Sequence, residues 1–255
     1  MSGGLVATLK TQLRQRADFS EVLAAPWTTL RAGELAQRPV HLERDGRVEL
    51  GDLFALRGEP TGAIRFSGAL DLADRLGAGL GEGEVVVEGS VGREAGLGMV
   101  GGALVIEGNA GPRAGAAPAG FKRGMTGGEL IVLGSAGPEA GATMRRGLLA
   151  IGRAAGTGTG LGMIAGTVVV CGQAGPDTGL WSKRGSVVAL GSIAPPVTYV
   201  YACTYQPVHL RLMLTRLRTR YRLPVKRVHL TGFYRRYSGD MAELGKGEIL
   251  EWTPQ

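Results

Sequence analysis

Seven glycines constrain this chain more than any other feature. Gly62, Gly83, Gly102, Gly128, Gly147, Gly166 and Gly185 each precede a short apolar run, at steps of 21, 19, 26, 19, 19 and 19 residues. The long step is 19 plus 7, and its extra residues fall in Ala116–Lys122. A second glycine closes each run six residues on, at Gly68, Gly89, Gly108, Gly134, Gly172 and Gly191; between Gly147 and Gly152 the interval is one residue shorter. Two further columns keep step. Leu80, Met99, Met125, Met144, Met163 and Ser182 stand three residues before the opening glycine, and Asp71, Gly92, Gly111, Gly137, Gly156 and Gly175 stand nine after it. Several columns in register from 62 to 191 are the mark of a repeat architecture.

Between paired glycines run about five residues whose second and fourth are apolar in every coil: Ile64/Phe66, Val85/Val87, Leu104/Ile106, Leu130/Val132, Leu149/Ile151, Val168/Val170 and Val187/Ala189. Alternation of two puts them on one face of a strand. One short strand cannot bury that face alone, whereas coils stacked at about 4.8 Å bury it in a single aliphatic column. Glycine serves the corners, where φ is positive or backbones approach closely. Methionine fills irregular gaps beside them. With 44 glycines in 255 residues but only 12 prolines and no Gly-X-Y period, the chain is not collagen-like. The stretches between strands are too rich in glycine for the helices that a doubly wound sheet or an α/β barrel requires. The expected fold is mainly β: a parallel β-helix of about seven coils over 62–191, with non-repetitive segments at 1–61 and 192–255.

The third residue of each strand points outward, as Arg65, Val86, Val105, Ile131, Ala150, Val169 and Val188. From the second coil on this column is apolar, and such a strip needs a cover. Two covers are open: the chain's own ends, or another subunit, for which Val169, Val188 and Leu190 are the candidate contacts. In the first segment, Val6 to Leu13 reads as a strand and 18–25 as a short helix stopped by Pro26. A hairpin follows about Asp45-Gly46. This segment suits the open end of a stack. In the last segment, Val208 to Tyr221 reads as an amphipathic helix with Leu210, Met213, Leu214 and Leu217 on one side.

Charge is unevenly placed. Residues 1–177 hold 17 basic and 18 acidic side chains, residues 178–255 hold 12 and 4, and no acidic residue occurs from Thr178 to Gly239. That asymmetry points to an anionic partner. The mixture of arginine and tyrosine around Arg235 and Arg236 suits a protein interface or a cap better than a nucleic-acid surface. Basic pairs recur at coil corners as Lys122-Arg123, Arg145-Arg146 and Lys183-Arg184. The last two share a register two coils apart, about 10 Å along the stack. These six residues are the candidates for binding a polyanion, the alternative being solvated surface pairs.

Catalytic chemistry is thinly represented. His41, His209 and His229 are isolated from one another, and no HExxH, CxxC or GxSxG occurs. Gly96-Leu-Gly-Met-Val-Gly is explained by the coil repeat and not by a nucleotide site. His229 reads as a packed or surface histidine and Cys171 as a buried inert thiol. No metal site, catalytic residue or covalently bound cofactor is expected. Two cysteines without a framework suit a reducing compartment, and neither an 18-residue apolar run nor a signal-peptide pattern is present.

The recurring Gly-x-x-Met-x-x-Gly-x-hydrophobic-x-hydrophobic-x-Gly-x-Ala-Gly pattern resembles the C-type subunit of formylmethanofuran dehydrogenase and its bacterial counterpart, the C-type subunit of the formyltransferase/hydrolase complex. It stands here as Gly96-Leu-Gly-Met-Val-Gly-Gly-Ala-Leu-Val-Ile-Glu-Gly-Asn-Ala-Gly and again from Phe121 to Gly137. The insertion before Phe121, the lead-in Gly51-Asp-Leu-Phe and the tail Tyr234-Arg-Arg-Tyr-Ser-Gly-Asp fit the same family. The repeat is also similar to the C-terminal domain of the large glutamate synthase subunit, so it specifies the fold better than the function. The resemblance covers about residues 40–240.

It implies a right-handed β-helix without a redox centre of its own, a non-catalytic scaffold in a cytoplasmic hetero-oligomer. That complex would convert formyl-tetrahydromethanopterin to formate through a methanofuran-type carrier. The formyltransferase and amidohydrolase-like or dehydrogenase-like partners would hold the chemistry. Arginine outnumbers lysine 24 to 5, which suits a high-GC bacterial methylotroph and favours the hydrolase complex over the archaeal dehydrogenase. The departures are the shorter Gly147–Gly152 interval and Ser182 in the methionine column. A glutamate-synthase-like partner subunit and a polyanion-binding module remain the alternative readings.

Overall fold

A computed structural model describes residues 4–24 and 26–254. Strands β1 (Leu5–Leu9) and β2 (Ala17–Asp18) come first. A 3-10 turn at Trp27–Thr29 and helix α1 (Ala32–Ala36) lead to the hairpin of β3 (Pro39–Leu42) and β4 (Gly46–Glu49). One helical turn, α2 (Leu50–Leu53), runs into β5 (Phe54–Arg57). The repetitive stretch supplies β6 (Ala63–Ser67), the short β7 (Ala73–Asp74), β8 (Glu84–Glu88), β9 (Ala103–Ile106), β10 (Glu129–Val132), β11 (Leu148–Ile151), β12 (Thr167–Val170) and β13 (Arg184–Ala189). Last come β14 (Val200–Tyr205), α3 (Leu210–Arg220), α4 (Arg227–Thr231), β15 (Phe233–Gly239) and β16 (Lys246–Thr253).

The protein is mainly β. Twelve strands form one mixed sheet in the order β14-β15-β16-β13-β12-β11-β10-β9-β8-β6-β1-β5. From β1 to β16 every neighbouring pair is parallel, and from β6 to β13 each steps by the repeat: Val105 opposes Ile131, Ile131 opposes Ala150, Ala150 opposes Val169. The seven-residue insertion leaves this register undisturbed. A second ladder of single parallel bridges joins Leu70, Val91, Ala110, Ala136, Ala155 and Ala174, so each segment between strands also pairs with the next. The opening glycines all have positive φ, from 65° at Gly102 to 103° at Gly166. Those backbone turns are ones an L side chain resists.

Two apolar clusters flank the parallel strands. The second and fourth strand residues fill an interior that also holds the bridge column and Met99, Met125, Met144 and Met163. The third residues, from Val86 to Val188, fill an outer cluster with Leu210, Leu214 and Leu217 of α3, together with Tyr221, Leu223, Val225, Tyr234 and Leu250. The chain's own C-terminal segment is therefore the cover over the outer strip. Each of the three α3 leucines contributes about 1.5–3 kcal/mol by leaving water. Ion pairs from Arg216 to Glu129 (2.7 Å) and from Arg220 to Glu84 (3.2 Å) fix the helix along the sheet.

Three local expectations need correction. β1 ends at Leu9 and not near Leu13, because the chain turns as the Lys10 N–H donates to Leu53 O. The stretch 18–24 is not helical. Asp18 belongs to β2, and its Oδ1 accepts the Ser20 N–H at 2.8 Å, a local turn that competes with a helix. Ala25, the last residue of that expected helix, lies outside the described residues. Finally, the Gly147 strand loses no residue. The Arg153 N–H donates to Gly134 O and Gly172 N–H to Arg153 O, so Arg153 occupies the closing-glycine position. Gly152 takes the outward place held by Leu133 and Leu190 in other repeats. A Cβ there would meet Leu133 O at 2.3 Å, which explains the displaced glycine.

Candidate functional site

The last two basic pairs arise just before the strands, at one position of the repeat. Arg145 N–H and Lys183 N–H donate to Met125 O and Met163 O, each at 2.8 Å, the same backbone role two repeats apart. Ile164 N–H makes that bond in the repeat between, to Met144 O at 2.8 Å, so an apolar residue interrupts the cationic strip. Arg145 is half-buried; Lys122, Arg123, Arg146, Lys183 and Arg184 are exposed. Among the described residues, none of the six has a carboxylate within ion-pair distance. Lys246 lies directly opposite Arg184, extending the strip by one strand.

The structure gathers half of these candidates into one recess of about 420 Å³. Lys122, Arg123 and Lys183 line it with Trp181, Ile164 and Glu243. Arg145, Arg146 and Arg184 remain outside it. Trp181 escaped the sequence reading. It is 54% exposed, has φ of 59°, and donates its backbone N–H to Asp240 Oδ2 at 2.7 Å. The signal was available: Trp181 stands in a column that Gly79, Gly98 and Gly162 fill in other repeats. A bulky residue at positive φ is an outlier that the surrounding structure must hold in place.

The interface candidates separate into two groups. Val169 and Val188 have no exposed surface and Leu190 is 3% exposed, all beneath the C-terminal segment. Side chains closed off by their own chain cannot meet another subunit, so the fold-back cover replaces the docking reading for these three. Arg235 and Arg236 lie on β15 and reach the surface. Arg236 Nε stands 2.9 Å from Glu248 Oε2, and Arg235 pairs loosely with Glu251 at 3.9 Å.

A second corner carries a ladder that sequence reasoning missed. Arg75, Glu94, Arg113 and Glu139 occupy one left-handed position in successive repeats, with φ of 58–64°. They bond in sequence along the stack: Arg75 to Glu94 at 2.7 Å, Arg113 to Glu94 at 3.2 Å, Arg113 to Glu139 at 3.0 Å. Asp18 and Asp74 join from the side, Asp18 to Arg75 and Asp74 to Arg16, each at 2.8 Å. Burial alone would raise the Glu94 carboxyl, but the hydrogen bonds from Arg75 and Arg113 outweigh it and hold the pKa below the usual range. Asp18 behaves likewise, through Ser20 and Arg75. The recess beside these groups, about 380 Å³, is walled mainly by cations and anions already joined to one another, with Glu43 the one lining carboxylate outside any ion pair among the described residues.

The remaining reactive groups are quiet. Burial pushes the Cys171 thiol up to about 12. Burial and Lys226 lower the His229 imidazole, whose Nδ1 accepts the Lys226 N–H at 3.1 Å while its ring meets Trp252 edge-on. Burial raises Tyr199 to about 12. Burial and the neighbouring Glu129 raise Tyr221 to about 12. Among the described residues no three His, Cys, Asp or Glu side chains are grouped to hold a metal ion. No described helix is long and apolar enough to cross a membrane.

No family model and no curated protein matches the chain. A solved structure does. It is a chain of the formyltransferase/hydrolase complex (FhcABCD) from Methylorubrum extorquens, in complex with methylofuran. The two chains are 32% identical over 98% of this chain and 100% of that one, and superpose with a TM-score of 0.76. With identity at that level over its full length, this chain belongs to the family of that formyltransferase/hydrolase-complex chain.

Proposed function

We propose that this protein is the C-type subunit of a formyltransferase/hydrolase complex, a scaffold that carries no catalytic residue. The full-length match to a chain of such a complex carries the reading. The state of the ionisable groups supports the scaffold role. The arginines and carboxylates of the Arg75–Glu139 ladder are spent on one another, Cys171 holds its proton, and His229 is packed against Trp252. In this reading residues 62–191 form a right-handed parallel β-helix of about seven coils. Residues 1–61 cover one end, and 192–255 cover the outer strip and the other end. The parallel ladder and its accompanying bridge column are what such coils require.

The complex would act in the cytoplasm on formyl groups passed between tetrahydromethanopterin and a methanofuran-type carrier, with the chemistry on formyltransferase and amidohydrolase-like subunits. The strip of Lys122, Arg123, Arg145, Arg146, Lys183 and Arg184 would hold an anionic part of that carrier. Its cations have no carboxylate partners within the described chain. Affinity purification of the chain from its native host tests the assignment. Formyltransferase and hydrolase subunits should accompany it in fixed ratio. Recovery of the chain alone, or with unrelated proteins, overturns it. Charge reversal at Arg145, Arg146, Lys183 and Arg184 tests the strip, and unchanged carrier retention removes it.

A further inference from the structure

We propose that the outer edge of β14 is an assembly site, which an extended, acidic segment of another subunit occupies by adding a strand to the sheet. β14 ends the twelve-strand order and pairs on one side only, with β15. Five of its six residues are exposed. Its sequence, Val-Tyr-Ala-Cys-Thr-Tyr, has no charge and no proline. Proteins blunt such edges with charges, prolines or short strands, because an unpaired row of N–H and C=O groups recruits other strands. The opposite edge obeys that rule: β5 is four residues, half-buried, and ends at Arg57. β14 carries one such device, a register slip with β15 between Tyr201 and Cys203, but neither charge nor proline, and most of its edge is left for a partner to cover.

The surroundings mark this end as an interface. Of the thirteen large hydrophobic residues exposed among the described residues, nine lie between Val197 and Leu244. Val200 and Tyr201 belong to β14, and Val208 and Leu212 lead away from it into α3. Tyr201 also packs edge-on against Tyr237 of the neighbouring strand. Charge selects the occupant. Residues 178–255 hold 12 basic and 4 acidic side chains. Arg211 at the start of α3, and Lys226 and Arg227 at the start of α4, whose Thr231 O accepts from Gln206 Nε2 at 2.7 Å just past β14, have no ion-pair partner among the described residues. A second copy of the chain would set two such segments against each other, whereas an acidic strand would neutralise them. Added strands take affinity from main-chain hydrogen bonds and selectivity from their side chains.

This inference rests on membership in a multisubunit complex. Cys203, exposed in the middle of β14, reports on it, with the half-buried Cys171, whose thiol burial pushes up to about 12, as an internal control. The experiment compares maleimide labelling and amide exchange over 200–205 in the isolated full chain and in the purified complex. Labelling of Cys203 and exchange of the edge amides should each slow at least about tenfold in the complex. Equal rates in both states overturn the proposal. Protection in the isolated chain that grows with its concentration overturns it in favour of a second copy. Ala202→Glu should weaken retention of the chain by about tenfold or more, while Ala202→Lys keeps it. Equal losses overturn the acidic assignment. Failure to co-purify with catalytic subunits removes membership and this inference together; co-purification with Cys203 still fully reactive removes this inference alone.

Discussion

Replacing Gly101 by alanine tests how closely successive repeats are packed. Gly101 lies just before β9, its φ outside the left-handed region, so a side chain there meets no backbone strain of its own. It meets the neighbouring repeat instead. A Cβ built on Gly101 stands 2.0 Å from Gly81 O and 3.0 Å from its carbonyl carbon, where ordinary contact begins at 3.4 Å. The gap must open by about 1.4 Å, a large part of the ~4.8 Å between rungs. The Gly101 N–H bond to Leu80 O, 3.0 Å, lies across that same gap. Overpacking costs about 1–3 kcal/mol, and backbone yields less readily than a side chain, so the upper end applies. For a chain of this size about 3 kcal/mol lowers the melting temperature by roughly 6–12 °C. Gly33→Ala is the control: it lies in α1 with nothing within 4 Å of its Cβ, and alanine there adds about 0.5–1 kcal/mol. Thermal unfolding followed by circular dichroism reads both. If Gly101→Ala melts within about 1 °C of the parent, the rungs do not touch backbone to backbone and the stacking argument fails.

Other expectations follow from the same structure. Leu214→Ala empties the centre of the outer cluster and should cost about 2–5 kcal/mol. In a double-mutant cycle with Ile131→Ala the losses should be non-additive, and strict additivity would separate the helix from the strip. Arg113→Ala removes a side chain that is 39% exposed. Screening limits its ion pairs to about 1 kcal/mol or less, so a larger drop in urea stability would mean the ladder is structural in a way its exposure denies. In alkali, Cys171, Tyr199 and Tyr221 keep their protons in the folded state up to about 12. The unfolded chain releases them from about pH 8.5 for the thiol and about 10 for the phenols. The unfolded state then binds fewer protons, so stability should fall progressively from about pH 9 to 12. A urea midpoint constant over that window would contradict the burial of these groups.

The stack was legible because its signal is periodic. One glycine column, one methionine column and strand alternation locate β6 to β13 and separate inward from outward residues. The outer cover was legible in outline, since Leu210, Leu214 and Leu217 recur at helical spacing. Which body they cover is a tertiary fact, so Val169, Val188 and Leu190 passed for interface residues. That β1 and β16 extend the parallel ladder stays hidden, because they join it without the glycine pattern. The Arg75–Glu139 ladder alternates in sign and so cancels in any count of charge, although its residues keep the repeat spacing. Among the basic candidates, spacing matched Arg145-Arg146 with Lys183-Arg184. The fold keeps that register and also brings Lys183 together with Lys122 and Arg123, which the insertion loop places near Trp181.

The most direct measurement is reconstitution of the complex from purified subunits with this chain present and omitted. Assembly mass and the two half-reactions, formyl transfer to the carrier and its hydrolysis, are followed in parallel. The scaffold account predicts that omission lowers the mass and uncouples the sequence while each catalytic subunit keeps its own half-reaction on free substrate. Loss of a half-reaction from a catalytic subunit that remains folded and intact would place chemistry on this chain and contradict the account.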